Sequence, residues 1–102
     1  MITITLEHGF SFAMEHTGKR ARLIIYKAGV ENVCRMETFK NIERFIRSDD
    51  EKIFKGRLQL HKNSDEIVIE VKGEIAGTMT LEDFTSYLEK VKNTSNKSID
   101  QK

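Results

Sequence analysis

Residues 2–16 have the sequence ITITLEHGFSFAMEH, and this stretch decides the fold. Its even positions carry six apolar side chains, those of Ile2, Ile4, Leu6, Phe10, Phe12 and Met14, whereas the odd positions are mostly polar or small. Side chains of a β-strand point to opposite faces in turn, so an apolar period of two indicates a strand with one buried face. The chain is therefore expected to open with sheet structure and not with a helix.

Gly9 divides this stretch, and two structures fit it: one long strand bent at the glycine, or a hairpin that closes there. A two-residue loop would turn the apolar side chains of the two arms to opposite faces, whereas an odd-length loop keeps them on one face. We favour the odd-length loop, which pairs Leu6 with Phe12 and Ile4 with Met14.

The rest of the chain alternates strand and helix signals. Leu23-Ile24-Ile25-Tyr26 is apolar on both faces and predicts an interior strand, a weaker strand follows at 33–38, and three more runs lie between Gly56 and Met79. Apolar residues at helical spacing predict a first helix from Thr38 or Phe39 and a second from Thr80. The predicted fold class is α+β, an antiparallel sheet of about six to seven short strands with two amphipathic helices in the order ββββα-βββα.

The two halves share their landmarks, each with strands that lead into a helix. Such landmarks fit an internal repeat, and two unrelated units of meander and helix would show them as well. With 102 residues, we expect a single globular domain over 1–93 and a polar, disordered tail over 94–102. The single cysteine, Cys34, and the lack of a signal-like or membrane-spanning run predict a cytoplasmic protein.

No residues have the spacing of a catalytic, metal or phosphate-binding motif. The histidines, His8, His16 and His61, are expected to lie apart and to share no metal. Cys34 has no identifiable base among its neighbours, so we expect a buried or half-buried structural cysteine. The sequence therefore predicts no catalytic residue, no metal and no cofactor, and favours a small non-enzymatic binding module.

Charge is distributed unevenly although the net charge is only +1, which disfavours a dedicated duplex-DNA binder. Residues 1–47 carry a net charge of +3 and residues 48–88 a net charge of −4. A basic strand surface with an aromatic side chain is typical of single-stranded nucleic-acid binding, with phosphates on the cations and bases on the ring. The candidate residues are Lys19, Arg20, Arg22, Tyr26, Lys27, Arg44 and Arg47, and the alternative is that they form an ordinary solvated face.

A second class of function remains open. A protein-interaction module, such as an inhibitor, an antitoxin-like protein or a phage-encoded regulator, would use a free sheet edge or the acidic segment Asp49, Asp50 and Glu51. Pairing through a sheet edge would also give a homodimer.

One short passage has a familiar form. Ala76-Gly77-Thr78-Met79-Thr80-Leu81-Glu82-Asp83-Phe84, together with the order of sheet then helix repeated twice, resembles the strand-to-helix passage of small single-strand-binding coactivator and Whirly-type folds. The resemblance covers residues 76–84 and consists of residue classes that any capped helix shows, so no functional residue is carried over from it.

Overall fold

The computed structural model describes residues 3–100, and the side chains of residues 3–93. The element bounds are β1 (Thr3–Thr5), β2 (Phe10–Thr17), β3 (Arg20–Lys27), β4 (Val30–Thr38), α1 (Phe39–Arg47), β5 (Lys52–Ile53), β6 (Leu58–Asn63), β7 (Glu66–Val71), β8 (Glu74–Thr80) and α2 (Leu81–Asp100). Ile2 and the predicted disordered tail at 94–102 lie outside the residues whose side chains are described.

The α+β class is confirmed, but the prediction of a single sheet with six to seven strands is wrong. The described chain has eight strands in two four-stranded antiparallel sheets, β1-β2-β3-β4 and β5-β6-β7-β8, each followed by a helix. The missed strand is β5, which has only two residues and therefore no periodicity to detect. The sheets are separate because α1 and the acidic connector carry the chain away from β4 before β5 begins.

The loop of the opening hairpin has an odd number of residues, as predicted, but the two strands pair in a register that differs from the predicted one. Ile4 lies opposite Phe12, not opposite Met14, and Leu6 donates its backbone N–H to the carbonyl of Phe10 at 2.9 Å. Three residues, 7–9, thus form an odd-length loop, which keeps the apolar side chains of both strands on one face. The shift of two residues arises because Gly9, with φ +82°, lies within a tight turn and not at the centre of a wider loop.

The structure repeats itself as two ββββα units, which we call the first unit (3–47) and the second unit (52–93). Gly18-Lys19 and Ser64-Asp65 are equivalent two-residue loops in which only the first residue has a positive φ, as in type II′ turns. Ala28-Gly29 and Lys72-Gly73 are equivalent loops with positive φ at both residues, as in type I′ turns. The common landmarks of the two halves therefore reflect a repeated architecture.

Both helices begin in the same way. The Thr38 hydroxyl accepts the backbone N–H of Asn41 at 3.1 Å, and the Thr80 hydroxyl accepts that of Asp83 at 3.0 Å. These N-caps satisfy amides that have no partner within the helix, and they confirm the predicted helix starts.

Each helix also packs across the other unit. The Lys62 ammonium group on β6 donates to the carbonyls of Phe45, at 2.6 Å, and Ser48 at the end of α1. In turn, the Tyr87 hydroxyl on α2 accepts the backbone N–H of Met14 on β2 at 2.9 Å. Because each helix is hydrogen-bonded to a strand of the opposite unit, the units form one structure.

A single apolar cluster fills the space between the sheets and helices. Phe12 is fully buried in it, stacked on Phe84 with ring centroids 6.4 Å apart and edge-on to Tyr87 at 5.8 Å. Both helices contribute buried side chains to this cluster, so their apolar faces point to the same interior. Within residues 3–100, neither helix has the length and apolar character needed to cross a membrane.

Candidate nucleic-acid interface

Arg22 lies on the face of the first sheet that points away from the apolar cluster. Its guanidinium lies 3.2 Å from a carboxylate oxygen of Glu15 and 3.2 Å from one of Glu31. The hydrogen bond with Glu15 is the main cause that raises the pKa of Arg22 above its ordinary value. Glu31 lies on β4 opposite Tyr26, four positions along β3 from Arg22. The structure thus gives Arg22 two acidic partners, one on each neighbouring strand.

Lys27 and Tyr26 lie at the end of β3 away from the Lys19–Arg20 turn. The Lys27 ammonium group lies 4.6 Å above the Phe10 ring and 3.9 Å from a carboxylate oxygen of Glu74. Tyr26 is half-buried on the face of β3 that carries Arg20 and Arg22, away from the apolar cluster. It lies six positions along β3 from Arg20, or about 20 Å at the rise of a strand. The ring thus shares a strand face with two of the predicted cations but lies far from the exposed turn.

Lys19 and Arg20 lie where the first sheet meets α1. The Lys19 carbonyl accepts the N–H of Phe39, the first residue of α1, at 3.2 Å. Arg20 lies opposite Thr38, the N-cap of the same helix. The turn between β2 and β3 is therefore held against the start of α1, and both of its basic side chains are exposed there.

Helix α1 adds three more exposed cations to the two of the β2–β3 turn. Lys40, Arg44 and Arg47 are spaced i, i+4 and i+7, so they share one helix face, and all three are exposed. Glu43, the acidic residue of α1, is bound to Lys92 of α2 at 3.0 Å. We name the exposed line of five cations, Lys19, Arg20, Lys40, Arg44 and Arg47, the basic ridge.

The basic ridge contains four of the predicted residues and one that the sequence reasoning missed. Lys40 is not among the predicted residues, although its spacing with Arg44 and Arg47 on the predicted helix places all three on one face. Within residues 3–93, no side-chain carboxylate lies within 4.0 Å of the charged group of any of the five. The structure therefore brings the cations of the β2–β3 turn and of α1 together, whereas Arg22 and Lys27 lie outside the ridge and are paired with acidic side chains.

The acidic segment Asp49, Asp50 and Glu51 forms the exposed connection between α1 and β5. The Asp50 backbone N–H is bound to the Ser48 hydroxyl at 3.1 Å, and the Glu51 carbonyl accepts the N–H of Lys62 at 2.7 Å. The segment is thus fixed through its backbone, and its carboxylates face solvent just beyond the Arg47 end of the basic ridge.

The histidines are separate, as expected. His16 lies between the carbonyls of Gly18 and Val91, at 2.7 and 3.2 Å, while His61 is 2.9 Å from a carboxylate oxygen of Glu70. Within the described residues, no group of histidine, cysteine and acidic side chains could hold a metal ion. Cys34 is exposed, which contradicts the expected buried or half-buried cysteine, because it lies on the outer face of β4, a strand at the sheet edge.

Comparisons of the chain with protein-family models, with curated proteins and with solved structures found no match. The resemblance of residues 76–84 to single-strand-binding folds therefore receives no support from them. Function must be inferred from the geometry of the basic ridge and of the strands around it.

Proposed function

We propose that the protein binds single-stranded nucleic acid, with the phosphates of one strand held along the basic ridge. The observation that carries this proposal is the line of five exposed cations without a carboxylate within 4.0 Å in the described part of the chain. Phosphate contacts supply most of the affinity when a protein binds nucleic acid without sequence preference.

The shape of the ridge favours a single strand. Lys40 and Arg47 are separated by seven positions, or about 10 Å along the helix axis. The Lys19–Arg20 turn extends this line beyond the helix start. One narrow line of cations matches one chain of phosphates, whereas a duplex presents two.

The salt dependence of binding gives a quantitative expectation. Each phosphate contact with a single strand contributes about −0.7 to the slope of log K against log salt concentration. Five contacts therefore give a slope of about −3.5, or about a hundredfold loss of affinity between 50 and 200 mM salt.

Fluorescence anisotropy with a labelled oligothymidylate, at these two salt concentrations, tests the proposal. The variant Arg44→Gln/Arg47→Gln removes two ridge cations, and the matched control Arg22→Gln/Lys27→Gln removes two cations that already have acidic partners. We expect the ridge variant to bind at least about tenfold more weakly at low salt and with a shallower salt slope, and the control to bind within about twofold of the wild type. Equal losses in the two variants, or no binding by the wild type at low salt, would show that the ridge is not a nucleic-acid site.

A second candidate, a protein-interaction module that pairs through a sheet edge, is favoured by one observation. Strand β4 pairs only with β3 in the described chain, and Val30 and Met36 on it are 69% and 40% exposed. An edge strand with exposed apolar side chains is a template for pairing with another chain. Light scattering tests whether the protein forms a homodimer through this edge. We expect a dimer for the wild type and a smaller dimer fraction for Met36→Lys, whereas a monomeric wild type would contradict the homodimer.

A further inference from the structure

The two units meet along two equivalent seams, and the first is closed. There the β1–β2 loop lies against β8: the Glu7 N–H donates to the Ala76 carbonyl at 2.9 Å. A Cβ atom placed on Gly77 would lie only 2.9 Å from the Cβ of Leu6. Leu6 therefore packs directly on the backbone, and the absence of a side chain at Gly77 permits this contact.

The second seam lies between β4 and the β5–β6 connection, and it is open. Val33 occupies the position in β4 that Gly77 occupies in β8, since they lie opposite Ile25 and Ile69 next to the same strand irregularity. A β-branched side chain at this position prevents the close approach that glycine allows. Within residues 3–100, no backbone hydrogen bond outside the regular elements joins β4 to 54–57, in contrast to the Glu7–Ala76 bond of the closed seam.

A groove of about 210 Å³ results at the open seam. It is lined by Val33, Cys34, Arg35, Arg57 and Leu58. Val33 and Leu58, its apolar lining residues, are buried. The two arginines line the groove from opposite sides of the seam, Arg35 from β4 and Arg57 from the segment before β6.

Arg35 packs on the aromatic ring of Phe54. Its guanidinium lies 4.7 Å from the centroid of that ring, a cation–π arrangement. Phe54 is buried and has φ +76°, the left-handed region that a bulky aromatic residue rarely adopts. Residues held in such strained conformations are concentrated at binding sites, where the surrounding structure maintains them.

The groove combines two features that an anion requires. Within residues 3–93, no side-chain carboxylate lies within 4.0 Å of either guanidinium. A guanidinium presents a planar fork of N–H donors that matches the oxygens of a phosphate, and two forks can share one phosphoryl group.

We propose that the Arg35–Arg57 groove binds a phosphoryl group. The group could belong to free phosphate or a mononucleotide, or to the end of a nucleic-acid strand, and the chemistry of recognition is the same in each case. The proposal does not depend on the basic ridge, because neither arginine belongs to it.

Nitrogen-15 NMR titration of the full chain with inorganic phosphate tests the groove directly. We expect shifts confined to the amides of 33–35 and 57–58, with sodium chloride at matched ionic strength giving none. Arg57→Gln should weaken phosphate binding at least about tenfold, because each fork makes charge-assisted hydrogen bonds. Arg57 is exposed and has no ion pair within the described residues, so this variant should keep the fold. The control, Lys27→Gln, removes one cation that lies outside both the groove and the basic ridge, and it should bind phosphate within about twofold of the wild type.

The remaining arms identify the source of the phosphoryl group. A 5′-phosphorylated oligonucleotide that shifts the groove amides more than its 5′-hydroxyl form indicates a strand end, and a mononucleotide that equals it indicates a free ligand. Equal shifts with acetate or chloride, or phosphate binding by Arg57→Gln within about twofold of the wild type, would overturn the phosphoryl site. A protein that binds phosphate in the groove but no oligonucleotide on the ridge would refute only the proposed function.

Discussion

Replacement of Gly77 by alanine is expected to open the closed seam and destabilise the protein. The added Cβ would lie 2.9 Å from Leu6 Cβ and 3.1 Å from Leu6 Cδ2. Carbon atoms pack at about 3.5–4.0 Å, so the loop must move away from β8 by roughly 0.6–1 Å. That movement lengthens the bond from the Glu7 N–H to the Ala76 carbonyl.

The magnitude follows from three contributions. Overpacking costs about 1–3 kcal/mol, and weakening the hydrogen bond costs about 0.5–1.5 kcal/mol. Gly77 has φ +159°, a conformation that residues with a side chain rarely adopt, so alanine adds backbone strain of about 1–3 kcal/mol. The net loss is therefore at least about 2.5 kcal/mol, which lowers the melting temperature by at least about 10 °C for a domain of this size.

Urea denaturation followed by circular dichroism measures this loss, and Gly56→Ala is the matched control. Gly56 lies at the open seam, where a new Cβ would meet only Arg35 Nη1 at 3.6 Å, an ordinary contact, so we expect a change within about 0.5 kcal/mol. In Leu6→Gly/Gly77→Ala the clashing atoms are absent, and the double variant should lose at least about 1 kcal/mol less than the sum of the single variants. Additive losses, or a Gly77→Ala variant as stable as the wild type, would refute the account of the closed seam.

Three further substitutions test other contacts. Lys62→Met removes the bonds to the end of α1 and should cost about 1–3 kcal/mol in urea denaturation, whereas an unchanged midpoint would contradict the capping role. Tyr87→Phe leaves the Met14 N–H without its acceptor and should cost about 1–3 kcal/mol. Burial is the main cause that raises the pKa of Tyr87, so the neutral hydroxyl is the stabilising form. Wild-type stability should therefore fall as the pH rises above about 10, and less so in Tyr87→Phe; equal falls would contradict this assignment. Arg22→Gln should cost less than about 1 kcal/mol, because its ion pairs with Glu15 and Glu31 are partly exposed, and a loss above about 2 kcal/mol would contradict this assignment.

Much of the fold follows from patterns that are local in the sequence. The alternation of Ile4, Phe10 and Phe12 specifies which face of the first hairpin is buried, since a period of two permits no other arrangement. Thr38 and Thr80 mark the helix starts because a hydroxyl before an apolar helical pattern satisfies a free amide. These predictions succeed because each depends on neighbours only a few positions apart.

The features that the sequence did not reveal depend on distant contacts. The two residues of β5 form a strand only because β6 pairs with them, and the separation into two sheets depends on where α1 docks. Arg22 is paired with Glu15 and Glu31, which lie 7 and 9 positions away in the sequence and come close to it only because the strands pair in this register. The groove at the open seam is lined by Arg35 of the first unit and Arg57 of the second, and only the packing of the two units brings these residues to one groove.

The repeat supports a one-sided interaction with anions, because equivalent positions in the two units carry opposite charges. The turn at Lys19-Arg20 corresponds to Asp65-Glu66, and each turn accepts the first N–H of its own helix through Lys19 or Asp65. Helix α1 begins with Lys40 where α2 has the acidic pair Glu82-Asp83. An anionic strand would be attracted along the first unit and repelled along the second, since exposed charges act over about 10 Å at ordinary ionic strength. The uneven charge that the sequence shows thus becomes, in the fold, two equivalent surfaces of opposite sign, and the proposed nucleic-acid strand would lie on the first.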